Sequence, residues 1–206
     1  MKWSFALSIV GALPVLAAAE PGIWNIDPVH TSSQFSVKHL VISTVRGQFG
    51  KTTGRLKLDE QDIAKSSVEA VVDVNTIDTR VADRDKHLKS PDFFDVANYP
   101  TMAFRSSKVV KAGEGRLKVG GDLTIRGTTR PVTFDVAYSP RAVGGMMGEI
   151  RRGFTATANI NRRDFGLRWS KTVNASSTMD PVVGDEVAIV IDAEAVKEDP
   201  KMESRK

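Results

Sequence analysis

Apolar and polar residues alternate along most of this chain. In "GRLKVGGDLTIRG", Leu117, Val119, Leu123 and Ile125 are apolar, whereas Lys118, Asp122, Thr124 and Arg126 between them are polar. That period of two predicts a half-buried strand pair, with Gly120 and Gly121 as a bend or bulge within it. "GTTRP" then predicts a turn into "VTFDVAY", where Val132, Phe134, Val136 and Tyr138 share one face. The pattern recurs in "SQFSVKH" (Phe35, Val37, His39), "GRLKLD" (Leu56, Leu58) and "SVEAVVDV" (Val68, Ala70, Val72, Val74). It continues in "FTATANI" (Phe154, Ala156, Ala158, Ile160) and "VAIVIDAEA" (Val187, Ile189, Ile191). With "IWNID" and "TMAFRS" added, the expectation is all-β: an extended antiparallel β-barrel of about eight strands, closed so that no sheet edge stays open.

One segment departs from the alternation. "RVADRDKHLKS" sets Val81 and Leu88 seven apart with charges between them, Thr79 in front and Pro91 behind. This predicts a short amphipathic helix capped by Thr79, flanking the barrel mouth.

The N-terminus reads differently from the rest. A basic start at Met1 and Lys2, the apolar run "WSFALSIVGALPVL" and small residues at Ala17–Ala19 predict an export signal over residues 1–19. Residues 20–196 are then the barrel domain, and "KEDPKMESRK" supplies a charged, frayed tail over residues 197–206. The expected destination is the periplasm or the outside of the cell. The apolar run is shorter than the roughly 20 residues of a comfortable membrane-spanning helix, so stable membrane insertion is not expected. There is no cysteine, hence no disulfide and no lipid-bearing cysteine after the signal. The net charge of +4 is too small and too scattered to mark a nucleic-acid binder.

Candidate chemistry is sparse. His87 lies near Asp85, Asp92 and Asp95, donors suited to a metal or a base, but His87 and Asp85 stand two apart on a helix and face different ways. "DPVHTSS" holds Asp27, His30, Ser32 and Ser33, the ingredients of a nucleophilic triad, without a strained nucleophile turn. Neither a Walker loop nor GxGxxG occurs. The expectation is therefore no catalytic residue, no metal, no cofactor and no enzymatic activity. Small residues at inward positions, namely Gly47, Ala70, Ala103, Ala156 and Ala158, instead leave room inside the barrel for an apolar ligand.

Five blocks carry a resemblance: "WNIDPVHTSSQFSVKHLVISTVRGQFG", "RDKHLKSPDFFDVANYPTMAFRS", "GGDLTIRGTTRPVTFDV", "FTATANINRRDFGLRW" and "VVGDEVAIVIDAEA". In this order the chain resembles the YceI-like family of periplasmic polyisoprenoid-binding proteins. The resemblance implies a lipocalin-like barrel around a long apolar tunnel for a polyisoprenoid, an isoprenoid quinone or another lipid chain. It also implies that a homodimer is an available state, since some members are dimeric. The tunnel-lining candidates are Phe35, Val37, His39, Val45, Phe49, Ala70, Val72, Phe94, Met102, Phe104, Leu123, Ile125, Phe134, Val136, Phe154, Ala156, Ala158, Ile160 and Trp169. Lys38, Arg46 and Arg168 are candidates for a head group at the mouth.

A binding or carrier role is the reading implied. A lipid-modifying enzyme using His87 or His30, a quinone-delivering accessory of a membrane cytochrome and a transmembrane barrel stay open as alternatives. Two departures from the family pattern stand out. Lys51, Thr52 and Thr53 replace an expected aromatic after "VRGQFG", which widens the cavity or shortens the ligand, and "VGGMMGE" at Val143–Glu149 is unusually rich in glycine and methionine.

Overall fold

Alternation of side chains closes on itself in three dimensions. The computed structural model describes residues 21–139, 141–175 and 178–199, so the expected export signal and residues 200–206 of the tail lie outside it. In chain order the elements are β1 (Gly22–Ile26), β2 (Ser32–His39), β3 (Ser43–Phe49), β4 (Thr52–Leu58), β5 (Ser67–Asp73) and β6 (Ile77–Asp78). The helix α1 (Ala82–Lys89) follows, then β7 (Thr101–Gly113), β8 (Arg116–Ile125), β9 (Thr128–Tyr138), β10 (Val143–Gly144) and β11 (Ile150–Asn161). A 3₁₀ turn at Arg162–Phe165 leads to β12 (Thr172–Ala175), β13 (Thr178–Pro181) and β14 (Val183–Lys197).

Eight of these strands form a closed antiparallel ring in the order β11-β9-β8-β7-β5-β4-β1-β14, and β14 pairs back onto β11. At 15 residues β14 is long enough to serve two partners on its other edge. It pairs with β1 through Ile26↔Ala195 and then with β2 from Asp192↔Ser32 to Val183↔His39. The sheet therefore forks at residues 27–31, and β2, β3 and β6 continue the wall past the end of β1. Arg151 holds the fork together. Its Nη1 donates to Asp27 at 2.7 Å and to Glu194 at 2.8 Å, and its Nε donates to Glu149 at 2.8 Å.

Three details differ from the sequence reading. The predicted bend at Gly120 and Gly121 is absent, and β8 runs straight through; the bulge lies across the ladder on β7, where Ser106 pairs with Gly121 and Lys108 with Gly120. Glycine is required at 121 because a Cβ there would stand 2.3 Å from the Arg105 carbonyl oxygen. The strand β3 carries the same alternation as its neighbours, but Gly47 interrupts the apolar face. A Cβ at Gly47 would meet the Phe35 ring at 2.5 Å, so Phe35 fills that place itself. Finally, Thr79 is not the helix cap. Val81 stands at that position without a side-chain bond, and buried Thr79 donates both its amide and its hydroxyl to Asp85 Oδ1.

At the C-terminus the pairing continues past the expected boundary. β14 reaches Lys197, and Glu198 donates its amide to the Ile23 carbonyl at 2.8 Å while its carboxylate meets Arg55 at 2.6 Å. Outward positions carry ion pairs such as Arg105–Glu69 and Lys118–Asp135. The described exterior is thus charged where a transmembrane barrel would present an apolar band. No helix among the described residues is long and apolar enough to cross a membrane.

The loop between β2 and β3 is strained. Leu40 and Val41 take φ of 51° and 65°, the left-handed region that a β-branched residue strongly disfavours, and Val41 and Ile42 are exposed. Val41→Asn should therefore stabilise the fold by about 1 kcal/mol, read as a rise of about 2–4 °C in the thermal midpoint. An unchanged or lowered midpoint would show that the loop relaxes away from this conformation.

Candidate ligand-binding cavity

The inward residues of neighbouring strands line up as rungs across the barrel. On one wall these are Ser33–Ile191–Ala156, Phe35–Ile189–Ala158 and Val37–Val187–Ile160. The opposite wall places Ala70 beside Phe104 and Phe104 beside Leu123, with Val119 against Phe134 farther round. Between the walls lies a cavity of about 280 Å³ with an almost wholly apolar surface.

Each end of the barrel is packed differently. At the α1 end, Phe49, Val74, Ile77, Val96, Met102, Leu123, Ile125, Phe165 and Leu167 form one core cluster, with Leu88 and Phe94 packed on it. Phe49 meets Phe35 at 5.6 Å and Phe94 edge-on at 5.8 Å between ring centroids. At the opposite end Trp24, Leu58 and Ala195 pack with Leu56 and Phe154, and Val109, Leu117 and Val119 pack beside Phe104 and Tyr138.

Most of the residues singled out in the sequence come together here. Phe35, Val37, Phe49, Ala70, Val72, Phe94, Met102, Phe104, Leu123, Ile125, Phe134, Val136, Phe154, Ala156 and Ile160 all line the cavity. Four do not. Ala158 shares the inward parity of β11, but its methyl is short and its cross-strand partner Ile189 forms the wall. His39 lies on the last rung, beyond Val37. Val45 stands beside its cross-strand partner Val37, one strand farther from β14, and of the two only Val37 lines the cavity. Trp169 packs instead against His87 and Phe93, with ring centroids at 5.0 and 5.2 Å.

The three head-group candidates do not reach the cavity either. Lys38 and Arg46 alternate outward from Val37 and Val45, and Arg168 is exposed next to buried Leu167. Met146 and Met147 of the glycine- and methionine-rich segment are fully exposed and contribute nothing to the wall.

Other lining residues were not picked out. Leu117, Val119, Ile189 and Ile191 sit on strands whose alternation was already visible, and strand pairing alone would have nominated them. Phe93, Phe165 and Leu167 belong to turns without periodicity, so nothing local marked them.

Polar groups in the wall are satisfied in specific ways. Thr52, in the place where an aromatic was expected, is buried and hydrogen-bonds Ser33 Oγ at 2.8 Å. Arg162 was not anticipated at all. Its buried guanidinium donates to the carbonyls of Gly184 (2.9 Å), Leu167 (2.6 Å), Trp169 (2.8 Å) and Val183 (3.2 Å) and to Asp185 Oδ1 (2.9 Å). All five N–H groups are thereby used. Burial lowers its pKa, against the opposing attraction of Asp185. Arg162 ties the loop after β11 to the start of β14 at the α1 end.

The residues with catalytic potential lie elsewhere. His30 Nδ1 meets Asp27 at 2.8 Å, but Ser33 is turned inward to Thr52, and Ser32 Oγ accepts a bond from Gln34. Asp27 is held well below the usual carboxylate range, first by its bond to His30 and then by Arg151. Asp27, His30 and Glu194 bring three possible ligand atoms within 4.8 Å of one another, and the Arg151 guanidinium already bonds both carboxylates there. His87 Nε2 pairs with Asp92 at 2.8 Å and stands edge-on to Phe93 and Trp169. Neither His30 nor His87 lines the cavity.

Known proteins share this architecture. The sequence matches the YceI-like domain over residues 24–195. A UPF0312 protein of Vibrio parahaemolyticus is 38% identical over 161 residues, which covers 78% of this chain and 85% of the relative. A UPF0312 protein of Vibrio cholerae is 36% identical over 174 residues, covering 84% and 90%. Among solved structures, BcnA of Burkholderia cenocepacia has a TM-score of 0.68 at 25% identity, covering 82% of this chain and 98% of that one. A polyisoprenoid binding domain from Saccharophagus degradans has a TM-score of 0.60 at 12% identity, covering 85% and 98%, a likeness of fold.

Two substitutions test these assignments. Arg162→Met removes every donor to four carbonyls and Asp185, and should cost about 3–5 kcal/mol, seen as a large fall in the denaturation midpoint. A loss within about 1 kcal/mol would mean that the carbonyls find other partners. His87→Ala should leave ligand affinity within about tenfold and change no metal content, because it removes one exposed hydrogen bond. Stoichiometric metal in the wild type that disappears in this variant would overturn the structural role assigned to His87.

Proposed function

The chain belongs to the YceI-like domain family, and from that premise we propose that it is a periplasmic carrier that sequesters one long apolar chain, a polyisoprenoid or similar lipid, inside its barrel. The observation that carries this reading is the almost wholly apolar cavity inside the barrel. Unfilled apolar space inside a barrel is suited to hold hydrocarbon. The fold shared with the polyisoprenoid binding domain of Saccharophagus degradans supports the ligand class. The signal-like residues 1–19 and the absence of cysteine support the compartment.

Desolvation supplies the driving force. Each methylene moved from water into the barrel contributes about 0.8 kcal/mol in transfer, offset by the ordering of a flexible chain. Affinity therefore rises with chain length until the cavity is full. A volume of about 280 Å³ lies near the lower end of small-molecule sites, which run from roughly 300 Å³ upward, so a long ligand either displaces lining side chains such as Phe49 and Phe94 or extends out of the barrel. Phe94 follows the short helix α1 and is carried on a loop. Delivery of a quinone to a membrane partner would use this same binding step.

Two measurements test the proposal. Native mass spectrometry of protein gently purified from its own host should show a co-purifying apolar molecule that organic extraction removes. Only the apo mass, beside a control lipid binder that keeps its ligand, would count against it. Ala156→Phe places a ring in the cavity between Phe154 and Ile160. In the delipidated protein its thermal midpoint should hold or rise while capacity for a long isoprenoid falls; a packed core would instead lose about 1–3 kcal/mol.

A further inference from the structure

Exposed aliphatic side chains are common singly and carry meaning where they stand together. Val41 and Ile42 are neighbours, 57% and 85% exposed, at the tip of the hairpin between β2 and β3. Two successive left-handed residues, Leu40 and Val41, turn the chain there. A β-branched residue in that region is costly, and folds keep such strain chiefly where it serves binding. The tip also lies at the rim of the cavity. His39 pairs with Val183, which lines the cavity, and the next residue, Leu40, donates its amide to the Val182 carbonyl at 3.1 Å.

The surroundings of the tip are basic. Residues 38–51 hold Lys38, Arg46 and Lys51 and no acid. Lys38 and Arg46 share the outer face of the hairpin, since Lys38 pairs with Thr44 and Ser36 with Arg46. Lys171 joins them, because its carbonyl accepts the Val182 amide at 2.9 Å. Lys38, Arg46 and Lys171 are all exposed, and none makes an ion pair among the described residues. The facing stretch of β14 offers two acids: Asp185 is bonded by Arg162 and Arg163, and Glu186 stands exposed. Met146 and Met147 are the other neighbouring pair of fully exposed apolar residues among those described. They lie at the far end of the barrel, where Arg151 pairs with Val196, and Glu149 follows them.

We infer that this hairpin tip docks the barrel on an anionic lipid bilayer, with Val41 and Ile42 in the acyl boundary and Lys38, Arg46 and Lys171 among the lipid head groups. The inference rests on the carrier reading above and adds the surface at which the apolar chain is exchanged. Spacing supports it. Successive rungs are about 3.3 Å apart, so Lys38 lies one rung and Arg46 three rungs below the His39–Ser43 rung, both within about 10 Å of it. Side chains that enter a bilayer interface reach roughly 5–10 Å deep, which leaves both cations at the level of the phosphates. A second copy of this chain fits the tip less well. A stable dimer needs about 800 Å² from each partner, and two side chains on a narrow tip supply a small part of that. Docked in this way, the rim at Val37 and Val183 faces the lipid, and an apolar chain passes without crossing bulk water.

The test is flotation of protein purified from its own host with vesicles of phosphatidylcholine alone and of equimolar phosphatidylcholine and phosphatidylglycerol. Binding to the anionic vesicles should be about tenfold tighter or more, and should weaken as salt is added. The double variant Val41→Asn/Ile42→Ser should weaken it about tenfold, and asparagine suits the left-handed region, so the fold is kept. Lys38→Gln and Arg46→Gln should each cost about fivefold, on the anionic vesicles only. Met146→Ser/Met147→Ser should change nothing. Wild-type binding that is absent, indifferent to phosphatidylglycerol or unchanged in the tip variant overturns the docking surface, as does its loss in the methionine variant. A wild-type dimer in solution that the tip variant dissolves also overturns it, and makes the tip a contact between copies. Uptake of geranylgeraniol without vesicles reads the carrier role separately. There the tip variant should match the wild type, and a wild type that takes up none removes the carrier reading whatever the vesicles show.

Discussion

Pairing of β14 with β11 is the contact on which the rest of the molecule depends. A strand has two hydrogen-bonding edges, and an open sheet always leaves a row of them unpaired. Here β14 gives one whole edge to β11, from Arg151↔Val196 to Asn161↔Glu186, and divides the other between β1 and β2. Closure in this way fixes which face of every strand is inside, since a slip of one residue would turn each apolar set outward. The cavity, its wall and the charged exterior all follow from one registration. The Arg151 bonds to Asp27 and Glu194 lie at the point where β14 changes partners, where the ladder itself offers least support.

A closed ring with small residues inside creates a space but does not decide what becomes of it. Ala70 and Ala156 leave volume in the walls, while the two ends determine whether that volume is a channel or a chamber. The α1 end closes with aromatic rings and with Arg162 bound to four carbonyls, so its polar groups are settled. At the Trp24 end Arg152 is buried beside the Trp24 ring, with Glu60 on its Nη2 and no partner on its Nε. An unpaired buried donor costs about 1–3 kcal/mol and a charged one more. The contrast between Arg162 and Arg152 gives the barrel a polarity that its apolar lining alone does not have.

Much of this was visible in the sequence because a strand's side-chain period is a local property. Runs such as "FTATANI" and "VTFDVAY" identify themselves, and the residues they nominate, Phe154, Ala156, Phe134 and Val136, do line the cavity. The same reasoning failed where packing against a neighbour outweighed local preference. Gly47 hid β3 because the Phe35 ring occupies its side-chain space, and the glycines of β8 suggested a bend that in fact lies on β7. Ala158 shows the limit of parity: it faces inward yet leaves the wall to Ile189. Thr79 looked like a helix cap, but Asp85 captured its donors from six residues away.

The sequence by itself determined the class of fold, the inward face of most strands and, through its resemblance to a family, the kind of ligand to consider. These depend on spacing within one strand or on the order of motifs, and both can be read along a line. Only the tertiary structure decided where the cavity lies and which charged groups are buried. Arg152 is in phase with the inward set Phe154, Ala156 and Ala158, but alternation alone would not lead one to expect an arginine there to stay buried, and nothing local distinguishes buried Arg162 from exposed Arg163. Burial and satisfaction are set by partners contributed from other strands and loops: Trp24 and Glu60 for Arg152, Val183, Gly184 and Asp185 for Arg162. Those partners come within reach only when the ring closes.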